Sequence, residues 1–201
     1  MLKISINEGK ANVYTPYHPA FVTRIKKLGG AKWDGTEKCW TVNVEMVPHV
    51  REIMADVYGE TDEEAPAERV TIKLTAGSEC YSWHSSVTAF GKILSSASGR
   101  DSGARIGDDV AYIKGNAKSG GSVKNWYSVV SDGAEIMLYN VPKILWDRYQ
   151  DKLAEGEEFD YTAELVETKV DVDALNAEKA NLLSRIAEID VLLSMKSDKV
   201  A

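Results

Sequence analysis

Apolar and polar residues alternate over Leu2, Ile4 and Ile6, and again through Ala11–Thr15 after a turn at Asn7–Gly9. A period of two marks half-buried strands, so this stretch predicts a β-hairpin. Pro16 and Pro19 stop the second strand and open a helix with Phe21, Ile25 and Leu28 on one face, which Gly29–Gly30 ends. Lys32–Gly35 and Lys38–Val42 predict a second hairpin around Asp34–Gly35. Pro48 then starts a helix whose apolar positions are Val50, Ile53, Met54 and Val57. Residues 1–59 therefore predict a ββαββα-like module. The acidic stretch 60–68, with Pro66, has the composition of an exposed linker.

Residues 69–167 follow a different pattern. Short β-like runs at Val70–Leu74, Val110–Ile113, Trp126–Val130 and Ala134–Tyr139 are separated by Gly, Ser and Asp. They predict a mainly β domain, a twisted sheet or partial barrel, with a helix near 142–153. Val172, Leu175, Leu182, Ile186, Ile189 and Leu193 alternate at spacings of three and four, broken by Lys179. That spacing predicts an amphipathic coiled-coil-like helix over 171–195, with Asp171 or Asp173 capping it. Leu175, Leu182, Ile186, Ile189 and Leu193 are the candidate seam for a second copy or a partner; packing on the same chain is the alternative. The expected fold class is α+β.

At 201 residues the chain is sized for one or two domains. The net charge of −7 is uneven: residues 1–59 carry +2, whereas 60–68 carry −5 and 147–167 carry −6. The global balance is thus a poor guide to partners. No apolar run approaches the length of a membrane span, and the N-terminus lacks the pattern of a signal peptide, so a cytoplasmic location and no membrane partner are expected. Cys39 and Cys80 make no disulfide framework and cannot alone ligate a structural zinc.

The motifs of common catalytic sites are missing from the sequence: no G-x-S-x-G elbow, no H-E-x-x-H pair and no phosphate-binding P-loop. His18, His49 and His84 are scattered, and Cys39 between Lys38 and Trp40 reads as a buried thiol. No catalytic residue, metal or cofactor is therefore expected. The segment 98–126 is dense in Gly and Ser and carries Arg100, Arg105, Lys114, Lys118 and Lys124. Glycines let backbone approach a phosphate, the cations supply charge, and Trp126 and Tyr127 offer rings for a base to stack on. Asp101, Asp108 and Asp109 are placed to offset that charge. In the first module Arg24, Lys26, Lys27 and Lys32 predict a basic rim, while Trp33 and Trp40 read as core.

The pattern Val13-x-x-Pro16-Tyr17-x-x-x-Phe21, then Ile25-Lys26-x-Leu28-Gly29-Gly30-Ala31-Lys32-Trp33-Asp34, then Lys38-x-Trp40-x-Val42, resembles the HARP-type module. Such modules occur beside helicase-like ATPases and in small phage and mobile-element proteins. Residues 1–58 carry the likeness, which implies recognition of DNA structure. The sequence shows no ATPase motif, so binding without remodelling is what the likeness implies. The remainder resembles an unnamed phage-type β domain. The leading expectation is a non-enzymatic phage or mobile-element protein, in the host cytosol. It would bind DNA or a nucleoprotein effector such as a CRISPR nuclease, as an anti-defence inhibitor would, with Glu157, Glu158 and Asp160 as possible mimics of nucleic-acid charge. The alternatives are a structural homo-oligomer built on the C-terminal helix, without a nucleic-acid role, and an enzyme with a dispersed active site.

Overall fold

The computed structural model describes residues 2–7, 9–63, 67–166 and 172–197. Residues up to Val166 form one compact unit, and those from Glu167 onward form another.

The first sheet is antiparallel, in the order β1-β2-β4-β3: β1 (Lys3–Asn7), β2 (Lys10–Tyr14), β4 (Cys39–Asn43) and, at one edge, β3 (Lys32–Asp34). Register pairs Ala11 with Val42 and Val13 with Trp40, so these four side chains share one face. Two helices cover it: α1 (Pro19–Ile25), and α2 (Val47–Tyr58), which follows a single 3-10 turn. Phe21, Ile25, Val50 and Met54 are fully buried in the resulting core. Each such side chain is worth about 1.5–3 kcal/mol when taken out of water. Arg24 ties α1 to α2 through Asp56 at 2.8 Å.

Beyond Glu68, β5 (Arg69–Ala76) lies inside a second antiparallel sheet, ordered β10-β13-β5-β14. Its partners are β10 (Val110–Lys114), β13 (Glu135–Pro142) and β14 (Tyr161–Leu165). Ile72, Leu74, Ile136 and Leu138 point inward, and the outer face carries charge, with Lys73 bound to Glu135 at 2.9 Å. A third sheet holds β11 (Ala117–Gly121), β12 (Trp126–Val130) and β6 (Cys80–Trp83). A fourth holds β7 (Val87–Ala89), β8 (Lys92–Ala97) and β9 (Ala104–Arg105). Buried hydroxyls join these two small sheets. Ser128 Oγ donates to the Ser85 carbonyl at 2.6 Å and accepts from the Ala97 amide at 2.8 Å, and Ser86 bonds Ser96 at 2.9 Å. Leu94 and Val130 complete one core with Leu145 and Tyr149 of α3 (Lys143–Ala154).

This arrangement corrects the expected fold class. In place of an α+β chain whose second part is one twisted sheet or partial barrel, the described residues hold fourteen strands in four sheets, mixed with four helices. The cause is local. Left-handed backbone at His84, Phe90, Gly91, Gly103, Asp109, Gly115 and Gly121 reverses the chain after only a few residues. The short strands β6 to β9, β11 and β12 form two three-stranded sheets, while the longer β5 and β13 anchor a four-stranded one, and among the described residues no barrel closes. The final helix, α4 (Val172–Ser197), stands in the second unit. Leu182, Ile186 and Ile189 are exposed on it, whereas the side chains of Leu175 and Leu193 lie outside the described residues, so no coiled-coil seam is assigned.

The stretch read as a linker is tethered where it is described. Arg51 holds Asp62 through two hydrogen bonds of 2.9 and 3.1 Å, and Arg69 holds Glu60. Next to this tether α2 meets α3. Gly59 ends α2 in the left-handed region (φ 74°). A Cβ there would come within 2.8 Å of Leu145 Cγ and 2.9 Å of Ile144 Cγ2. Arg148 reaches across to donate to the Ala55 carbonyl at 2.9 Å, one of the last carbonyls of α2. Both the backbone angle and the space demand glycine. Gly59→Ala is therefore expected to cost about 2–4 kcal/mol by chemical denaturation, from strain plus overpacking.

His18 precedes α1 and is 5% exposed, its ring edge-on to Tyr58 with centroids 5.9 Å apart. Neither ring nitrogen has a hydrogen-bond partner among the described residues. Burial pushes its pKa from 6.5 down to about 4. The unfolded chain thus takes up a proton below pH 6.5 that the folded chain refuses until about pH 4. Stability must fall as pH drops through that window, by at most about 1.4 kcal/mol per pH unit, and this group adds no slope above it. His18→Phe should remove that component, and the difference between wild-type and variant unfolding free energies from pH 7 to pH 4 measures it.

Candidate nucleic-acid interface

Edge position decides what the two tryptophans of the first module do. Trp33 and Trp40 are directly paired across β3 and β4, and their rings lie 5.5 Å apart. Trp40 sits on an inner strand and is 6% exposed; Trp33, on the edge strand beyond the cover of the helices, is 53% exposed. It forms one wall of an open cavity of about 290 Å³, shared with Thr15, Pro16, Tyr17, Val22, Trp40 and Lys26. Tyr17, in the loop before α1, is 65% exposed.

The alternation of β3 sends Lys32 to the opposite face, across from Thr41. Lys10, Lys32, Thr41 and Asn43 line a second, polar hollow of about 230 Å³ there. Asp34 shares that face, but its carboxylate is engaged by the backbone amides of Thr36 and Glu37 at 2.8 and 3.1 Å. One short strand thus carries an aromatic wall on one side and a cation on the other. Lys26 and Lys27 are exposed just past the end of α1, while Arg24 is matched by Asp56.

The remaining basic candidates are distributed over the other three sheets. Arg105 lies in β9 and Lys114 at the end of β10. Lys118 lies in β11, and Lys124 in the turn leading to β12. Arg100 is chelated by its neighbour Asp101 at 2.6–2.9 Å. That hydrogen bonding holds the Asp101 carboxyl below its usual range. Likewise Lys92, bonded at 2.9 Å, lowers the pKa of Asp109. Ser119 Oγ donates to the Arg100 carbonyl at 2.7 Å, docking the Arg100 turn on β11.

Trp126 is half-buried, with its ring 5.4 Å from that of His84. His84 Nε2 lies 3.0 Å from the Lys124 carbonyl, which can only accept, so the ring donates. The His84 ring thereby fastens the hairpin turn, with Trp126 packed against it. Sequence reasoning passed over Tyr17 and Trp33 as candidate contacts. The available signal was the brevity of the β3 run between Gly30 and Gly35, which marks an edge.

Burial raises the pKa of both thiols, Cys39 and Cys80, and so disfavours the thiolate a nucleophile requires. Among the described residues no group of three or more His, Cys, Asp or Glu is arranged to hold a metal ion, and no helix is long and apolar enough to cross a membrane. No family model, curated protein or solved structure matches the chain.

Proposed function

We propose that the protein binds nucleic acid without transforming it, with the β3 edge of residues 2–58 as its first point of contact. The observation that carries this reading is the alternation at that edge. Trp33 and Tyr17 offer exposed rings in a cavity that also holds Lys26, and the adjacent residue, Lys32, lies with Lys10 among hydroxyl and amide groups. A planar apolar wall suits a base, and an ammonium flanked by hydrogen-bond donors suits a phosphate. A nucleotide strand presents both at the same repeat. The likeness of residues 1–58 to HARP-type modules points the same way.

Equilibrium binding of single-stranded and forked DNA across a salt series tests the reading. Trp33→Ala should weaken binding by about 1–3 kcal/mol, the usual range for a lost stacking surface. Lys32→Ala should flatten the plot of log K against log salt by roughly one unit. Arg24→Ala should leave that slope unchanged, because Asp56 already matches its charge. Wild-type protein that ignores every DNA form at low salt overturns the proposal.

A further inference from the structure

The third sheet carries an aromatic face with no counterpart in the first module. Tyr81 and Trp83 are two apart on β6 and so share a side. Register places Tyr127 opposite Trp83, and Val129 opposite Tyr81. Tyr81 is 59% and Trp83 53% exposed, yet Val129 between them is 4% exposed, so the rings roof over the apolar residue beneath. Ring centroids lie 4.8 Å apart for Trp83–Tyr127, 5.7 Å for Tyr81–Tyr127 and 6.1 Å for Tyr81–Trp83. The Tyr127 ring lies across the glycines of β11. A Cβ on Gly120 would come within 2.7 Å of Tyr127 Cε2, and one on Gly121 within 3.0 Å of its Cδ1 and Cε1. Glycine at these places is what lets the ring settle against the backbone.

Charge narrows what such a face can hold. Lys118 lies on the same side, across from Val129. Lys124 is exposed in the turn at the Trp83 end. Neither forms an ion pair among the described residues. At the other end, Glu158 and Asp160 line the cavity that adjoins Tyr81. An anionic chain is thus attracted at the hairpin and repelled past Tyr81. The rings stand at 86°, 71° and 51° to one another. They make no flat strip for a sugar chain to lie along, but each can be met separately by a base that has left its partner.

We infer that the Tyr81–Trp83–Tyr127 face, with Lys118 and Lys124, is a second contact surface, specific for unpaired bases of a single-stranded nucleic acid. The inference deepens the proposed function and rests on it for the class of ligand, but it concerns different residues. Duplex bases are already stacked on one another and cannot pair with these rings, so the surface discriminates strandedness.

The test uses the full chain, a labelled short oligothymidylate and a duplex of equal length, measured by fluorescence anisotropy with light scattering alongside. Tyr81→Ala and Trp83→Ala remove half-exposed rings, and each should still melt cooperatively at a somewhat lower temperature, because Val129 loses cover. Each should weaken oligothymidylate binding by about five-fold or more while changing duplex binding less than two-fold, on the order expected for one stacked base. Lys118→Ala should lower the salt slope for the single strand by roughly one unit. Unchanged oligothymidylate affinity in both ring variants, beside a loss in Trp33→Ala, overturns this inference and leaves the β3 reading standing. A loss in the ring variants with none in Trp33→Ala does the reverse. Equal losses for single strand and duplex, or a wild-type dimer that Trp83→Ala dissociates, also overturn it.

Discussion

Apolar strand faces must be covered, and among the described residues up to Val166 three α-helices are available for four sheets. That shortage organises the molecule. α1 and α2 cover the middle of the first sheet, and α3 joins the core beneath the second. The third and fourth sheets send Val130, Ala89 and Leu94 into that same core and are joined to each other by buried serine hydroxyls. Ser128 satisfies its hydroxyl twice, so a polar side chain sits at 0% exposure without an orphaned hydrogen bond. Where cover runs out, large rings remain in water: Trp33 at the edge of the first sheet, and Tyr81 and Trp83 on the open side of the third.

Exposed aromatic groups beside lysines mark the two candidate contact surfaces. Their two settings differ in kind. At β3 a ring and a cation lie on opposite sides of one strand, and the proposed contact with nucleic acid rests on that arrangement. On the third sheet the rings and Lys118 share a face, and the inferred contact with unpaired bases rests on that one. The close packing of α2 on α3 at Gly59 places both surfaces in one compact unit.

Much of the local structure was legible in the sequence, and the covering of the sheets was not. The alternation at Leu2–Ile6 and Ala11–Thr15 marks a hairpin because one face of that sheet is buried. The same rule separates Trp126 from Tyr127, since adjacent residues on a strand face opposite ways. Periodicity cannot say which of the two faces is covered. Trp126 and Tyr127 both drew attention because they follow a basic loop; the structure sets Trp126 beside His84 and Tyr127 beside Tyr81 and Trp83. Trp33 and Trp40 are paired across one ladder, and strand order separates the core residue from the exposed one. The fold class went astray for a related reason. A run of short strands looks the same whether it closes a barrel or divides into ribbons, and left-handed residues such as His84, Phe90 and Asp109 decide between them without a sequence signature as plain as glycine.

The account stands on one claim, that exposed rings meet unpaired bases while buried ones do not. Photocross-linking of the full chain to an oligonucleotide carrying iodouridine, followed by mass-spectrometric mapping, reads that contact at the level of residues. The account predicts adducts at Trp33 or Tyr17 and at Tyr81, Trp83 or Tyr127, with none at the buried Trp40. Adducts confined to Trp126, to the Arg100 turn or to α4 would contradict it.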